Sequence, residues 1–314
     1  MKNVLYYNMR VGLVFGGNTT EGEVSKKSAE SIRGALLKLG YEVIDIEFDK
    51  NIAIHIQDAN VDVVFNAMHG QYGEDGCLQG LLNILQIPYT HSGVFSSAVG
   101  MNKQICKTIF KGLGLKVPRG IVVKKEDLSN DKWKDILKKS ELKDCKEVFI
   151  KPVCDGSSRD AFLVHNVDEY SFKTIDLNSA SKEFLIEERI IGREIQAVVF
   201  RDKAIGLLEV CPNGEFYDYK SKYTEGGAVH KKVDFSEDLQ KKILKDAEKI
   251  HNSLCLKDIS RSEFLLTKDN EIYALEVNTH PGFTNLSIVP EVALNAGISY
   301  EEIIDYLVKN ANIG

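Results

Sequence analysis

At 314 residues, with 43% hydrophobic and 27% charged content, the chain is long enough to bury two or three domain cores and has the composition of a globular enzyme. Its formal net charge of −6, without a basic tract, argues against a dedicated nucleic-acid binder, and no run approaches the ~18 apolar residues that span a bilayer. The opening stretch from Met1 to Arg10 is too short and polar for a signal peptide, and six scattered cysteines (Cys77, Cys106, Cys145, Cys154, Cys211, Cys255) form no C-x-x-C pair, so a cytoplasmic protein with reduced thiols is expected.

In chain order, residues 11–15 form a short apolar run ending in Gly16-Gly17, which predicts a buried strand entering a turn. Residues 24–39 then carry helical spacing and stop at Gly40. Further strands at 41–46 and 61–65 complete an open parallel sheet, whose ligands belong at the carboxyl ends of the strands, in the loops 16–25 and 68–76. Neither loop contains G-x-G-x-x-G, so a dinucleotide fold is not supported. From Gly93 the pattern changes to a helix over 96–111, a Lys116-Val-Pro118 connection and strands at 120–123, 148–153 and 184–188, a small α+β unit. Strands at 194–200, 204–210, 262–267 and 272–277 follow, with helices near 237–255 and 300–308. The expected fold class is therefore α/β and α+β, divided into units 1–92, 93–187 and 188–314.

The chemistry concentrates at Arg261-Ser-Glu263 and Glu276-Val-Asn278. Side chains two apart on a strand share a face, so two adjacent strands would bring three oxygen ligands and a fixed cation together. Glu, Glu and Asn are hard donors suited to Mg²⁺ beside phosphate, whereas zinc would want Cys or His. The plain alternative is a hairpin with a solvated polar face. Lys151 ends the apolar run Val148-Phe-Ile-Lys-Pro, where its ammonium must find an anion or water. Glu21, in a glycine-rich loop at a helix start, would otherwise be a helix-terminus charge.

These residues, with the motifs around them, resemble the D-alanine–D-alanine ligases of the ATP-grasp superfamily. The markers occur in order: Gly16-Gly-x-x-x-Glu21-x-Glu-Val-Ser25, His69-Gly with Gly73-Glu-Asp-Gly76, Pro88-Tyr-Thr-x-Ser-Gly93, Lys103, Ile150-Lys-Pro152 with Gly156-Ser-Ser158, Phe216-Tyr-Asp-Tyr219 with Lys222-Tyr223, and Glu276-x-Asn278-Thr-x-Pro-Gly282. The resemblance implies an ATP-grasp architecture with an N-terminal open parallel α/β domain and nucleotide clamped between the central and C-terminal domains. It also implies that ATP phosphorylates one D-alanine and the amine of a second attacks the acyl phosphate, giving D-alanyl-D-alanine, ADP and phosphate for peptidoglycan synthesis.

Carried over residue by residue, the resemblance assigns ATP contacts to Lys103, Lys151, Glu187, Glu194 and Lys222, and the ligands of two Mg²⁺ ions, with Mn²⁺ as an alternative, to Glu263, Glu276 and Asn278. Glu21 would hold the first ammonium, and Ser157 and Tyr223 would organise the reacting centre. Arg261 and the Gly282 N–H would face the oxyanion that amine attack creates, which needs fixed donors. Ser287 and Ile288 would cradle the second substrate's carboxylate, with His69 near the substrates. The family resemblance favours a homodimer through the N-terminal domain.

Two stretches depart from the family pattern. After Gly156-Ser-Ser158 an apolar residue and a glycine are usual, but Arg159 and Asp160 stand there, placing a carboxylate beside ATP and an arginine able to grip phosphate. The flap from Tyr223 to Val233 lacks the usual small-residue and proline ending. Alternative readings are an ATP-grasp ligase for another amino-acid pair, or a nucleotide-binding paralogue with impaired turnover.

Overall fold

A computed structural model describes residues 9–17, 21–173, 175, 177–217, 226–284 and 287–314. The first sheet is parallel: β1 (Arg10–Gly16) lies between β2 (Glu42–Phe48) and β3 (Val63–Asn66). Every residue of β3 is buried, as expected for a strand covered on both faces. One face takes α1 (Gly22–Lys38) through Ala29, Ile32 and Leu36. The other takes α2 (Ile52–Ala59) and α3 (Cys77–Leu85) through Ile56 and Leu82. From the two loops expected at the strand ends, Glu21 and His69 lie at the site described below.

The helix expected over 96–111 is instead two: α4 (Val94–Met101) and α5 (Lys103–Gly112). Asn102 between them is extended, at φ −90° and ψ 99°, and its side chain accepts a hydrogen bond from the Ile105 N–H, capping α5. Asn102 also bridges to Cys154, and the Lys103 N–H donates to the Val153 carbonyl at 3.0 Å. The break therefore places Lys103 at the first turn of α5, against the loop that follows Pro152.

A four-stranded antiparallel sheet comes next, in the order β4 (Gly120–Lys124), β7 (Glu183–Glu188), β5 (Val148–Pro152) and β6 (Phe162–Val164). Short helices α6 (Lys125–Ser129) and α7 (Trp133–Lys138) seal one face around Trp133, Leu137 and Phe172. The last sheet is antiparallel and five-stranded, in the order β10 (Ala228–Lys231), β9 (Lys203–Pro212), β8 (Arg193–Phe200), β11 (Ile259–Leu266) and β12 (Ile272–Asn278). Helices α5 and α8 (Glu237–Ser253) pack on one side through Phe110, Ile243 and Ile250. Helices α9 (Ile288–Asn295) and α10 (Tyr300–Lys309) join the other side to the parallel sheet, since Val198, Phe200, Val292 and Leu307 share a core with Leu13 and Phe65. Sequence periodicity missed α2, α3, α9, β6 and β10, which are short enough to offer few turns or alternations. None of the six cysteines is bridged.

Candidate active site

Strands β11 and β12 build the platform that the sequence pattern anticipated. Arg261 pairs with Asn278 and Glu263 pairs with Glu276 across the ladder, while Phe264 and Leu266 turn into the core behind it. Strand β8 extends the same face, with Gln196 opposite Glu263 and Glu194 opposite Leu265. A bulge after Glu263 skips Leu275, so Leu275 and Glu276 are both partly exposed, and each lines the cavity above the sheet. Buried polar atoms without a hydrogen-bond partner here include Glu263 Oε2 and Arg261 Nε. Burying such atoms is costly unless something joins them, and both belong to the platform where ligands were expected.

That cavity lies between the four- and five-stranded sheets. Lys103, Lys151, Glu187, Glu194, Glu263 and Glu276 all contribute to its walls, with Phe149, Ile190 and Leu265 among the apolar surfaces. Polar groups around an apolar slot suit a nucleotide, whose base needs cover and whose phosphates need cations. Lys151 Nζ lies 2.9 Å from Glu187 Oε2. Burial works against the Lys151 ammonium, but Glu187 and Glu276 outweigh it and hold its pKa above the usual lysine value. Burial would likewise raise the Glu187 carboxyl, yet Lys107 and Lys151 keep it below the ordinary range. Lys103 Nζ donates to the Asp155 carbonyl at 2.5 Å.

A second cavity adjoins the first, sharing Lys103, Asp155, Gly156, Ser157, Tyr217 and Glu276 as a common wall. It gathers Glu21, His69, Arg261, Asn278, Gly282, Ser287 and Ile288. The Glu21 carboxylate is 4% exposed and accepts a hydrogen bond from Ser157 Oγ. Two glycines make its room: a Cβ on Gly70, which sits at φ +69°, would collide with Glu21 Oε2, and one on Gly156 would come within 2.8 Å of Oε1. Burial, then the neighbouring Glu74, raises the Glu21 pKa, and the Ser157 hydrogen bond opposes the rise. Such a pocket favours an incoming ammonium, whose charge would relieve that repulsion.

His69 is held by Ser28 Oγ at 3.0 Å and Glu74 Oε1 at 3.2 Å. Behind it His91 and His280 stack at 3.8 Å between ring centroids. Burial pushes the His91 pKa down to about 3 and that of His280 well below its ordinary value, so this pair is neutral. Ser287 stands immediately before α9, and its Oγ accepts from the Thr284 N–H at 2.9 Å. The first turn of α9 thus opens onto the cavity, where a helix N-terminus favours a carboxylate.

Lys222 and Tyr223, with Thr224 and Glu225 of the flap, lie outside the described residues. The expectation for Asp160 needs correction. Asp160 keeps the left-handed conformation, φ +47°, that a glycine would adopt, but its carboxylate accepts from the Ser179 N–H at 2.5 Å and is absent from the nucleotide cavity wall. Asp tolerates this conformation better than most residues, and its carboxylate is already engaged. Arg159, by contrast, lines the cavity. Sequence reasoning missed Lys107, Glu74, Asp155 and Gln196. For Lys107 the signal was its helical i+4 spacing from Lys103, and for Asp155 its place directly before Gly156.

Two antiparallel sheets closing on a nucleotide-sized cleft, with opposed carboxylates on one wall and lysines on the other, define an ATP-grasp ligase. The family profile described as D-ala D-ala ligase C-terminus matches residues 109–309, and D-ala D-ala ligase N-terminus matches 51–92. The D-alanine–D-alanine ligase of Rickettsia massiliae is 41% identical over 306 residues, 96% of this chain and 92% of that protein. Among solved structures, the D-alanine–D-alanine ligase of Bacillus anthracis superposes with a TM-score of 0.81 at 30% identity, covering 96% of each chain. The same enzyme complexed with ATP gives 0.78 at 28% identity, again covering 96% of each. The chain belongs to the D-alanine–D-alanine ligase family.

Proposed function

We propose that this protein joins two D-alanines at the expense of ATP, releasing ADP and phosphate, with D-alanyl-D-alanine supplied to peptidoglycan synthesis. The observation that carries the reading is the shared wall: the buried Glu21–Ser157 pocket and the nucleotide cavity meet at Lys103, Asp155, Gly156 and Glu276. A carboxylate bound in the first pocket would therefore lie beside phosphate bound in the second.

Within that arrangement, Glu21 holds the first substrate's ammonium and Ser157 fixes the Glu21 carboxylate. Lys103 and Lys151 hold the nucleotide phosphates, and Glu187 and Glu194 flank the base and ribose. Arg261 and the Gly282 N–H stabilise the tetrahedral oxyanion formed by amine attack. Ser287 and the first turn of α9 receive the second carboxylate, and His69 orders the pocket between them. The roles assigned to Lys222, on ATP, and to Tyr223, at the reacting centre, fall outside the described residues.

The oxygen donors of Glu263, Glu276 and Asn278 fit Mg²⁺, and the unpartnered Glu263 Oε2 supports that fit. Bound there, two Mg²⁺ ions, or Mn²⁺ in their place, would offset phosphate charge. We extend the proposal to a cytoplasmic homodimer. No helix among the described residues is long and apolar enough to cross a membrane, and exposed Ile54 and Ile84 on the N-terminal helices offer apolar surface for self-association. Phosphate release measured with D-alanine, L-alanine, D-serine and D-lactate tests the assignment. Release only with D-alanine fits it, whereas preference for another pair, or none, favours a different ligase or a paralogue without turnover.

A further inference from the structure

Lys107 takes no part in lining either cavity, yet it is 6% exposed and its ammonium is ion-paired with Glu187 Oε1. The other oxygen of the same carboxylate is 2.9 Å from Lys151 Nζ. One buried carboxylate is therefore held between two ammonium groups, so the cluster carries a net charge of about +1 by simple counting. Lys151 and Glu187 line the nucleotide cavity, and Lys107 does not. Without Lys107, Glu187 and Lys151 would form a one-to-one pair and the lysine's charge would be spent within the protein.

The pairing also crosses the cleft's base. Lys107 stands on α5, whose Cys106 and Phe110 are packed into the core of the five-stranded sheet, while Glu187 and Lys151 belong to the four-stranded sheet. The ion pair thus fixes the height of one wall against the other where the nucleotide would enter. A buried lysine is expensive to keep charged without a partner, so removal of Glu187 alone would leave two unpaired cations.

We infer that Lys107 is a positioning residue of the ligase: by compensating Glu187 it leaves the Lys151 ammonium available to the polyphosphate of ATP. This rests on the proposed reading of the cleft as the nucleotide site. Lys107 lines neither cavity and acts through Glu187 and Lys151, so the comparison of ATP with adenosine isolates its effect on the charged part of the nucleotide.

The experiment measures ATP and adenosine affinity by calorimetry on the full chain, comparing Lys107→Met, Lys107→Arg, Lys151→Met and the double variant Lys107→Met with Glu187→Gln. The quantity read is the ratio of ATP affinity to adenosine affinity, which a merely structural role would not move. Lys107→Met is expected to lower the ratio by about tenfold or more, the scale for losing one partner of a desolvated charge cluster. Lys107→Arg should keep the ratio, and the double variant should restore it, because Lys151 is again uncompensated. If Lys107→Met proves too unstable to titrate, the double variant decides alone: a ratio still low there overturns the inference. An unchanged ratio in folded Lys107→Met does the same. Lys151→Met separates the two levels: an unchanged ratio there would mean the cleft is not the phosphate site, whereas a fall there without one in Lys107→Met rejects only the inference.

Discussion

Glu263 on β11 stands directly opposite Glu276 on β12, and Glu263 keeps a buried oxygen without a hydrogen-bond partner. Like charges across a ladder destabilise a sheet, so the pairing persists because something else in the working enzyme uses it. Replacing Glu276 by Gln should retain the fold and lower the rate of ADP formation on the order of 100-fold or more. Steady-state turnover at varied Mg²⁺ concentration checks this, and activity near wild type with an unaltered Mg²⁺ dependence would refute the metal assignment.

Glu21 carries a different expectation, since its carboxylate is buried beside Glu74 and Asp155, with the Ser157 hydrogen bond and His69 only partly offsetting that environment. Glu21→Gln should weaken D-alanine use by ~2–5 kcal/mol, roughly ten- to several-thousand-fold, and leave ATP affinity largely intact. The same change should stabilise the substrate-free protein by about 1 kcal/mol, as expected when a strained functional group is removed. The sign follows from the raised pKa: the folded state holds the Glu21 proton more tightly than the unfolded chain, so this residue contributes stability at low pH that is lost as pH rises through the folded value. The advantage of Gln should therefore grow from acid toward neutral pH. Melting curves across that range decide the matter, and a Gln variant less stable at neutral pH would contradict it.

His91 and His280 give an opposite slope. Both are neutral in the fold, with His91 near 3, so below pH 6.5 the unfolded chain binds protons that the folded one does not. Each should remove about 1.4 kcal/mol of stability per pH unit as the solution falls below the ordinary histidine value. His91→Gln should flatten the acid limb of the stability curve. Urea melts from pH 7 to pH 5 in the wild type and the variant test this, and identical slopes would reject it.

Asp160 serves as a tether for the loop that follows Gly156. Asp160→Gly would lose the acceptor for the Ser179 N–H, and a gain in chain freedom would add to that loss. ATP KM should rise about fivefold, near 1 kcal/mol, with kcat changed less. Arg159→Ile should raise ATP KM as well, because Arg159 lines the cavity. Should Asp160→Gly instead lower ATP KM, the carboxylate would have to be acting against the nucleotide.

The platform of Arg261, Glu263, Glu276 and Asn278 was legible in the sequence because strand alternation alone decides which residues share a face. Lys151 was legible for a similar reason, as a charge at the end of an apolar strand. The break at Asn102 was not, since residues 96–111 keep helical spacing across it and only the capping hydrogen bond and the bridge to Cys154 reveal it. Nor was the Lys107–Glu187–Lys151 cluster, which joins a helix on one sheet to strands of another. The fate of Asp160 depended on Ser179, a residue 19 positions away with no pattern linking the two.

The most direct test of the whole account is ADP formation by the purified chain with ATP, Mg²⁺ and D-alanine, followed together with dipeptide product. One ADP should appear per D-alanyl-D-alanine formed, with two D-alanines consumed, and almost none when D-alanine is replaced by L-alanine. ADP release that ignores D-alanine, or D-alanine-dependent release without dipeptide, would contradict the account.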